Sequence, residues 1–230
     1  MVFRGWHKVS YIEYPGRIAT VLFVAGCNFR CPFCHNPELV LQKDGLPVIE
    51  EDEVFSYLVK RRGLLDAVCI TGGEPLLYSQ ECQSFLQKVK GLGYLVKVDT
   101  NGSFFEEFTA LWDWVDLWGI DFKVPLNQYH LVGGGEKKES VQKVLEKALS
   151  HPDRVEIRTT IYPPFHNLET LRTMARTIQD ARVWYWQNFH REKNLSQEAR
   201  DVTPYSASFL KFLQDTINKE IGRDFVVLRL

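Results

Sequence analysis

The chain has 230 residues, 45% of them hydrophobic and 25% charged, and its 28 basic and 29 acidic side chains leave a formal net charge of −1. That composition is ordinary for a soluble globular protein long enough to bury a sizeable core, and the charge balance argues against a broad electrostatic footprint for DNA or RNA. No apolar run reaches the length of a membrane span, and Met1-Val2-Phe3-Arg4-Gly5-Trp6-His7-Lys8 lacks the apolar core and cleavage site of a secretory signal, so a cytoplasmic location is expected, with no membrane or nucleic-acid partner.

Residues 1–17 mix aromatic and β-branched side chains and run into Pro15-Gly16, which reads as an extended lead-in or short hairpin. Residues 18–25 are almost wholly apolar, the pattern of a buried strand. Gly26 breaks that strand, so Cys27, Cys31 and Cys34 fall on a loop at its C-terminal end. A helix over 50–62 places Phe55, Leu58 and Val59 on one face and stops at Arg61, Arg62 and Gly63. A strand over 65–70 leads into Thr71-Gly72-Gly73-Glu74-Pro75. A helix over 79–90 then aligns Cys82, Phe85, Leu86 and Val89 and ends at Gly91 and Gly93.

The strand 94–98 runs into Asp99-Thr100-Asn101-Gly102, and a helix near 104–115 buries Phe105, Phe108, Trp112 and Val115. The strand 117–122 carries Asp121, with Lys123 at its end, and a long loop containing Gly133-Gly134-Gly135 follows. A helix over 138–150 aligns Val141, Val144, Leu145, Ala148 and Leu149. The strand 154–161 puts Glu156 and Arg158 on one face. Asn167 suits the cap of a helix aligning Leu168, Leu171, Ala175 and Ile178, and a strand over 182–187 comes next. Residues 189–204 read as a loop, 206–221 as a helix aligning Phe209, Phe212, Leu213 and Ile217, and 225–230 as a short strand.

Six strands alternating with helices imply parallel strands joined by right-handed crossovers. The unit count is too low for a closed eight-stranded barrel. The expected fold is α/β, a partial six-stranded barrel open on one side. No linker, low-complexity tract or further repeat interrupts it. One domain over 1–230 is therefore expected: lead-in 1–17, barrel core 18–188, and a C-terminal loop, helix and strand over 189–230.

In such folds ligands gather at the C-terminal ends of the strands, where the unusual polar residues of this chain fall. Three of five cysteines lie within residues 27–34 and can wrap a metal centre, while Cys69 and Cys82 read as packed core thiols and the odd count argues against a disulfide framework. Three thiols do not complete a usual four-ligand site. They suit either zinc completed by His35 or a distant group, or a [4Fe–4S] cluster with one iron left open. Gly72 and Gly73 allow close backbone approach to a ligand, or make a plain turn. Asp99, Thr100 and Asp121 offer oxygens to a hard cation, although Asp-Thr-Asn-Gly is also good turn sequence.

The spacing Cys27-x3-Cys31-x2-Cys34, with Phe33 before the last cysteine, resembles the radical S-adenosylmethionine (SAM) superfamily. The resemblance implies one [4Fe–4S] cluster whose open iron binds the amino and carboxylate groups of SAM, and reductive cleavage of the sulfonium to a 5′-deoxyadenosyl radical. The continuation His35-Asn36-Pro37-Glu38-Leu39 narrows the match to activators of glycyl radical enzymes. The lead-in Val9-Ser10-Tyr11-Ile12-Glu13-Tyr14-Pro15-Gly16 resembles activators of anaerobic ribonucleoside-triphosphate reductase in their longer form.

By that resemblance Gly72, Gly73 and Glu74 serve the amino group of SAM, Thr100 and Asn101 belong to the cofactor site, and Asp99, Thr100 and Asp121 form a monovalent-cation site beside the SAM carboxylate. Lys123 completes an Asp-x-Lys pattern facing SAM, Phe33 and His35 pack on or near the adenine, and His190 contacts the nucleoside. Arg158 is either a SAM contact or half of an ion pair, and Gly133-Gly134-Gly135 sits where a lid would lie. No general base is expected, because the radical itself takes a hydrogen atom. The implied partners are a glycyl radical enzyme (anaerobic ribonucleotide reductase) as protein substrate and a flavodoxin- or ferredoxin-like electron donor. Two rivals stand beside this reading. A radical SAM enzyme acting on a small molecule, such as a 7-carboxy-7-deazaguanine synthase, fits His35-Asn36 less well. A non-catalytic iron–sulfur or zinc protein leaves the Gly-Gly-Glu and Asp-x-Lys segments without purpose.

Overall fold

The computed structural model describes residues 1–192 and 194–229. In chain order the first elements are β1 (Val2–Phe3), β2 (Gly5–Ser10), β3 (Ala19–Val24), α1 (Pro37–Val40), β4 (Ile49–Glu50), α2 (Glu51–Lys60), β5 (Ala67–Gly72) and α3 (Ser79–Gly91). Next come β6 (Leu95–Thr100), α4 (Phe105–Leu111), β7 (Leu117–Asp121), α5 (Lys138–Leu149) and β8 (Val155–Ile161). The last are α6 (Leu168–Thr177), β9 (Trp184–Asn188), α7 (Gln197–Asp201), α8 (Ala207–Ile221) and β10 (Val226–Arg229). Six strands, β3 and β5 to β9, alternate with helices as the sequence predicts. The chain divides into two compact units: Met1–Asn28, Glu38–Thr100 and Phe104–Gly119 in the first, and Phe29–Pro37, Asn101–Ser103 and Ile120–Leu230 in the second.

In the first unit β3 pairs parallel with β5, from Ala19 opposite Ala67 to Val24 opposite Gly72, and β5 pairs parallel with β6. The lead-in is a hairpin partner: β2 runs antiparallel to β3, with a register shift between His7 and Ser10. Side chains alternate across a strand, so Ala19, Val21, Ala67 and Cys69 share one face and form a small buried cluster on which Tyr14 packs. Lys97 lies opposite Cys69 in register. Helix α3 buries Cys82, Phe85, Leu86 and Val89 as predicted. Gly93 follows its end with φ +88°, the left-handed geometry that favours glycine. The Cys82 thiol is a core group: burial, with the Glu74 and Glu81 carboxylates adding to it, pushes it up to about 12.

Helix α4 is shorter than the predicted 104–115. It gives way to a 3-10 turn over Trp112–Trp114, and the buried side chains are Phe108, Leu111, Trp112 and Val115, with Phe105 only half-buried. Tightening from 3.6 to 3.0 residues per turn shifts the buried stripe.

In the second unit β8, β9 and β10 pair parallel in that order. Asn167 caps α6 as predicted, its Oδ1 accepting the Thr170 N–H, and the helix buries Leu171, Met174 and Ala175. Three expectations are corrected here. The segment after β7 is not an open loop but a pair of 3-10 turns, Leu126–Val132 and Gly135–Lys137. It packs on the cysteine loop: the Arg30 N–H donates to the Val132 carbonyl at 2.9 Å, and a Cβ on Gly134 would come 2.7 Å from the Phe29 ring. It is therefore a packed support rather than a lid. Residues 189–204 hold a short helix, α7, with Ser196 at its cap.

Helix α8 buries Leu210, Leu213 and Ile217 and leaves Phe209 and Phe212 exposed, at 42% and 54%. Its apolar stripe is wider than the face that meets α6 and β10, and spacing alone does not choose between the two phases. The predicted final strand ends at Leu230, which lies outside the described residues. Among the described residues no helix is long and apolar enough to cross a membrane.

Candidate functional site

In the first unit, β3 delivers the chain through Ala25 and Gly26 to Cys27. Gly26 has φ +81°. Its N–H donates to the Leu39 carbonyl and its own carbonyl accepts the Glu74 N–H, both at 2.8 Å. The glycine pair at the end of β5 makes this possible. Gly72 has φ +114°, and a Cβ there would stand 2.5 Å from the Val24 carbonyl oxygen. A Cβ on Gly73 would stand 1.8 Å from the Gly26 carbonyl oxygen. Both glycines thus lie directly against the backbone that leads into Cys27. Glu74 is fully buried, and its Oε1 accepts the Leu76 N–H at 3.0 Å and the Thr100 hydroxyl at 2.8 Å.

Asp99 and Thr100 are consecutive on β6, so their side chains leave opposite faces. Asp99 shares its face with the fully buried Lys97, whose Nζ is 3.5 Å from Asp99 Oδ1 and donates to the Glu13 carbonyl at 2.6 Å.

In the second unit, Cys31 is buried and Cys34 half-buried. The Cys34 N–H donates to the Cys31 carbonyl at 3.1 Å, so a tight turn joins the two thiol-bearing residues. Phe33 is buried against Tyr162, with ring centroids 5.2 Å apart, and against Phe165 and His166. His35 and His190 are brought together: the His190 N–H donates to His35 Nε2 at 3.4 Å. Burial, then the His190 and Lys123 charges, lower the His35 pKa. Asn101 is spent locally, its Oδ1 accepting the Ser103 N–H at 2.9 Å.

Asp121 binds Arg158 through Nη2 at 2.9 Å and Nε at 3.1 Å, and Lys123 Nζ at 3.2 Å. Burial alone would raise its pKa; the Lys123 and Arg158 charges and hydrogen bonds outweigh that and hold it at about 2. Arg158 is therefore half of an ion pair, with Asp121 as a partner, while its strand neighbour Glu156 binds Arg229 at 2.8 Å. Lys123 is no freely solvated lysine, its side chain being 17% exposed.

Two supporting residues escaped the sequence reading. His166 is fully buried. Its Nδ1 accepts the Tyr162 N–H at 2.9 Å, which assigns the ring hydrogen to Nε2, and Nε2 donates to the Lys123 carbonyl at 2.7 Å. The hydroxyl of buried Tyr129 accepts the Lys123 N–H at 3.4 Å, and burial raises its pKa. Together they fix the backbone of Lys123. A histidine before a helix cap and a tyrosine in a turn carry no periodic signal that could have marked them.

Three thiols within residues 27–34 leave a fourth ligand position open. Among the described residues no three His, Cys, Asp or Glu side chains close around one ion. His35 Nε2, one of the two ring nitrogens that could bind zinc, already accepts a backbone N–H. A four-iron cluster presents a separate iron to each thiolate, so Cys27, Cys31 and Cys34 need not converge on one point.

Comparison with known proteins identifies the family. The chain matches the radical SAM superfamily over residues 21–179. It is 30% identical over 233 residues to the Methanocaldococcus jannaschii protein MJ1227, named for glycyl-radical enzyme activation, with 98% of this chain and 94% of that protein covered. It is 27% identical over 180 residues to the pyruvate formate-lyase-activating enzyme of Clostridium pasteurianum, covering 76% of this chain and 75% of that one. In fold it resembles Streptococcus suis SuiB bound to S-adenosylmethionine, with TM-score 0.67 and 13% identity over 91% of this chain and 52% of that chain. It also resembles a domain of pyruvate-formate lyase-activating enzyme from Bacteroides vulgatus, with TM-score 0.56 and 16% identity over 72% of this chain and 99% of that chain. These solved structures share the partial (β/α)6 barrel predicted from the strand count, and the superfamily implies a [4Fe–4S] cluster and SAM. The chain belongs to the radical SAM superfamily and, within it, to the enzymes that activate glycyl-radical enzymes.

Proposed function

We propose that this activase installs the glycyl radical of anaerobic ribonucleoside-triphosphate reductase, drawing its electron from a flavodoxin- or ferredoxin-like donor. The observation that carries the reading is the run Cys27-x3-Cys31-x2-Cys34-His35-Asn36, held by the Gly72-Gly73 clamp. The choice of partner is supported by the lead-in from Val9 to Gly16. When bound, the cluster held by Cys27, Cys31 and Cys34 would supply the one-electron reductive cleavage of SAM by which a hydrogen atom is taken from a glycine Cα of the partner, with methionine and 5′-deoxyadenosine as co-products.

The remaining work belongs to the chain's own residues. Cys27, Cys31 and Cys34 are the cluster ligands. Gly72, Gly73 and Glu74 shape the backbone that serves the amino group of SAM, and Thr100 and Asn101 line the cofactor site through strand-end backbone and turn. Lys123, fixed by His166 and Tyr129, and Arg158 hold positive charge near the SAM carboxylate, while Phe33, His35 and His190 serve the adenosyl end. A monovalent cation at Asp99, Thr100 and Asp121 is the part of the resemblance that the donor set disfavours, since both carboxylates already face protein cations. Residues 1–230 act as one domain in this reading, supported by a family match that runs through both compact units. A reducing, cytoplasmic setting suits thiol ligands.

The test is anaerobic reconstitution with iron and sulfide, then dithionite and SAM in the presence of anaerobic ribonucleotide reductase or pyruvate formate-lyase. Release of 5′-deoxyadenosine with a glycyl radical signal on the reductase alone supports the reading. A signal on the lyase alone, or no release from a fully loaded cluster, contradicts it.

A further inference from the structure

We infer that Lys97 is a built-in counter-ion for Asp99, and that this chain works without the monovalent metal cation which its family resemblance implies. The inference rests on the activase reading for its place in the reaction, but its first test does not depend on that reading.

Lys97 is the one lysine among the fully buried large side chains of the described residues. A buried ammonium is costly unless paired and hydrogen-bonded. Here Nζ donates a hydrogen bond to the Glu13 carbonyl at 2.6 Å and makes an ion-pair contact, rather than a hydrogen bond, with Asp99 Oδ1 at 3.5 Å, with Asp99 itself 6% exposed. The Glu13 bond ties the ammonium to the lead-in, whose neighbouring Tyr14 packs on the Ala19, Val21, Ala67 and Cys69 face. Burial and the Glu13 bond together hold the Lys97 ammonium beside Asp99. A metal cation on Asp99 would sit within a few ångströms of a fixed like charge in a poorly screened interior.

The other implied donors point the same way. The Thr100 hydroxyl leaves the opposite face of β6 and gives its hydrogen to Glu74. Asp121 carries two cations of its own, Arg158 and Lys123. A monovalent ion favours oxygen donors that are not already matched by fixed positive charge, and neither carboxylate meets that condition. An ammonium supplied by the chain cannot be washed out, so the charge on Asp99 is balanced in any buffer.

Three readouts test this. The first uses the wild-type reconstituted enzyme with SAM and no reductant, in tetramethylammonium buffer. Added sodium should show no potassium-displaceable broadening of its NMR line, and such broadening would overturn the proposal. The second uses the reconstituted enzyme, whose release of 5′-deoxyadenosine should differ by less than about twofold between tetramethylammonium and potassium buffers; a severalfold rise with potassium overturns it. The third is Lys97→Met, checked for folding by circular dichroism. It should gain displaceable sodium binding and lose about tenfold or more in rate, with potassium or ammonium restoring part of it. A folded Lys97→Met that behaves as wild type in both respects overturns the proposal. The first readout needs neither cleavage nor a variant, so its failure is distinguishable from failure of the activase reading.

Discussion

Gly73 lies against Gly26 with no room for a side chain, its would-be Cβ falling 1.8 Å from the Gly26 carbonyl oxygen. That oxygen accepts the Glu74 N–H at 2.8 Å, and Cys27 is the next residue. The Gly-Gly-Glu segment thus holds in place the stretch of backbone that presents the first thiol.

Gly73→Ala should displace that backbone, because the collision is with main chain and no rotamer relieves it. We expect iron incorporation on anaerobic reconstitution to fall below about half of wild type while most secondary structure is retained. Gly91→Ala is the control. It sits at the end of α3 with nothing within 4 Å of a Cβ, and it should bind iron normally and gain up to about 1 kcal/mol of stability.

Glu74→Ala should cost about 3 kcal/mol in denaturant unfolding of the apo-protein, since it orphans the buried Leu76 N–H and the Thr100 hydroxyl. Glu74→Gln keeps an acceptor oxygen and should lose about 1 kcal/mol. Equal losses in the two variants would show that size, rather than hydrogen bonding, sets the effect.

His166 gives the apo-protein a pH dependence of definite sign. Burial lowers its pKa from the ordinary 6.5 to about 4. The unfolded chain therefore takes up the proton first as pH falls, so the stability is present above about pH 6.5 and drains away between there and about pH 4. The gap corresponds to about 3 kcal/mol. Unfolding measured across that range should show the slope in wild type and lose it in His166→Gln.

Asp121 acts lower on the scale. Burial opposes its ionisation, but Lys123 and Arg158 hold its pKa at about 2, so its contribution is complete above about pH 4 and is lost as pH falls towards about 2. The stability advantage of wild type over Asp121→Asn should be constant near neutrality and vanish over that window. The side chain is 35% exposed, so solvent screening keeps the effect modest. Persistence of the full advantage at pH 2 would remove the ion pair as its cause.

Much of this was legible in the sequence for a physical reason. Long apolar periods such as Cys82, Phe85, Leu86 and Val89 have one solution, and thiol spacing on a loop is local information. What was not legible depends on partners distant in the chain. Arg158 meets Asp121 across 37 residues, and His166 reaches the Lys123 carbonyl across 43. Gly133 and Gly134 look like a free loop until Phe29 and Arg30 are placed beside them. In α8, Phe209 and Leu210 offer equally good stripes, and only the packing on α6 and β10 selects Leu210.

In the proposed mechanism three thiolates hold the cluster and leave one iron for SAM. The direct measurement is electron–nuclear double resonance on the reduced, reconstituted enzyme with SAM carrying a heavy-nitrogen label at its amino group. A hyperfine coupling from that nitrogen is expected, abolished in Cys31→Ala together with the cluster. A fully loaded, reduced cluster that shows no coupling to the label, with a protein side chain on its fourth iron instead, would contradict it.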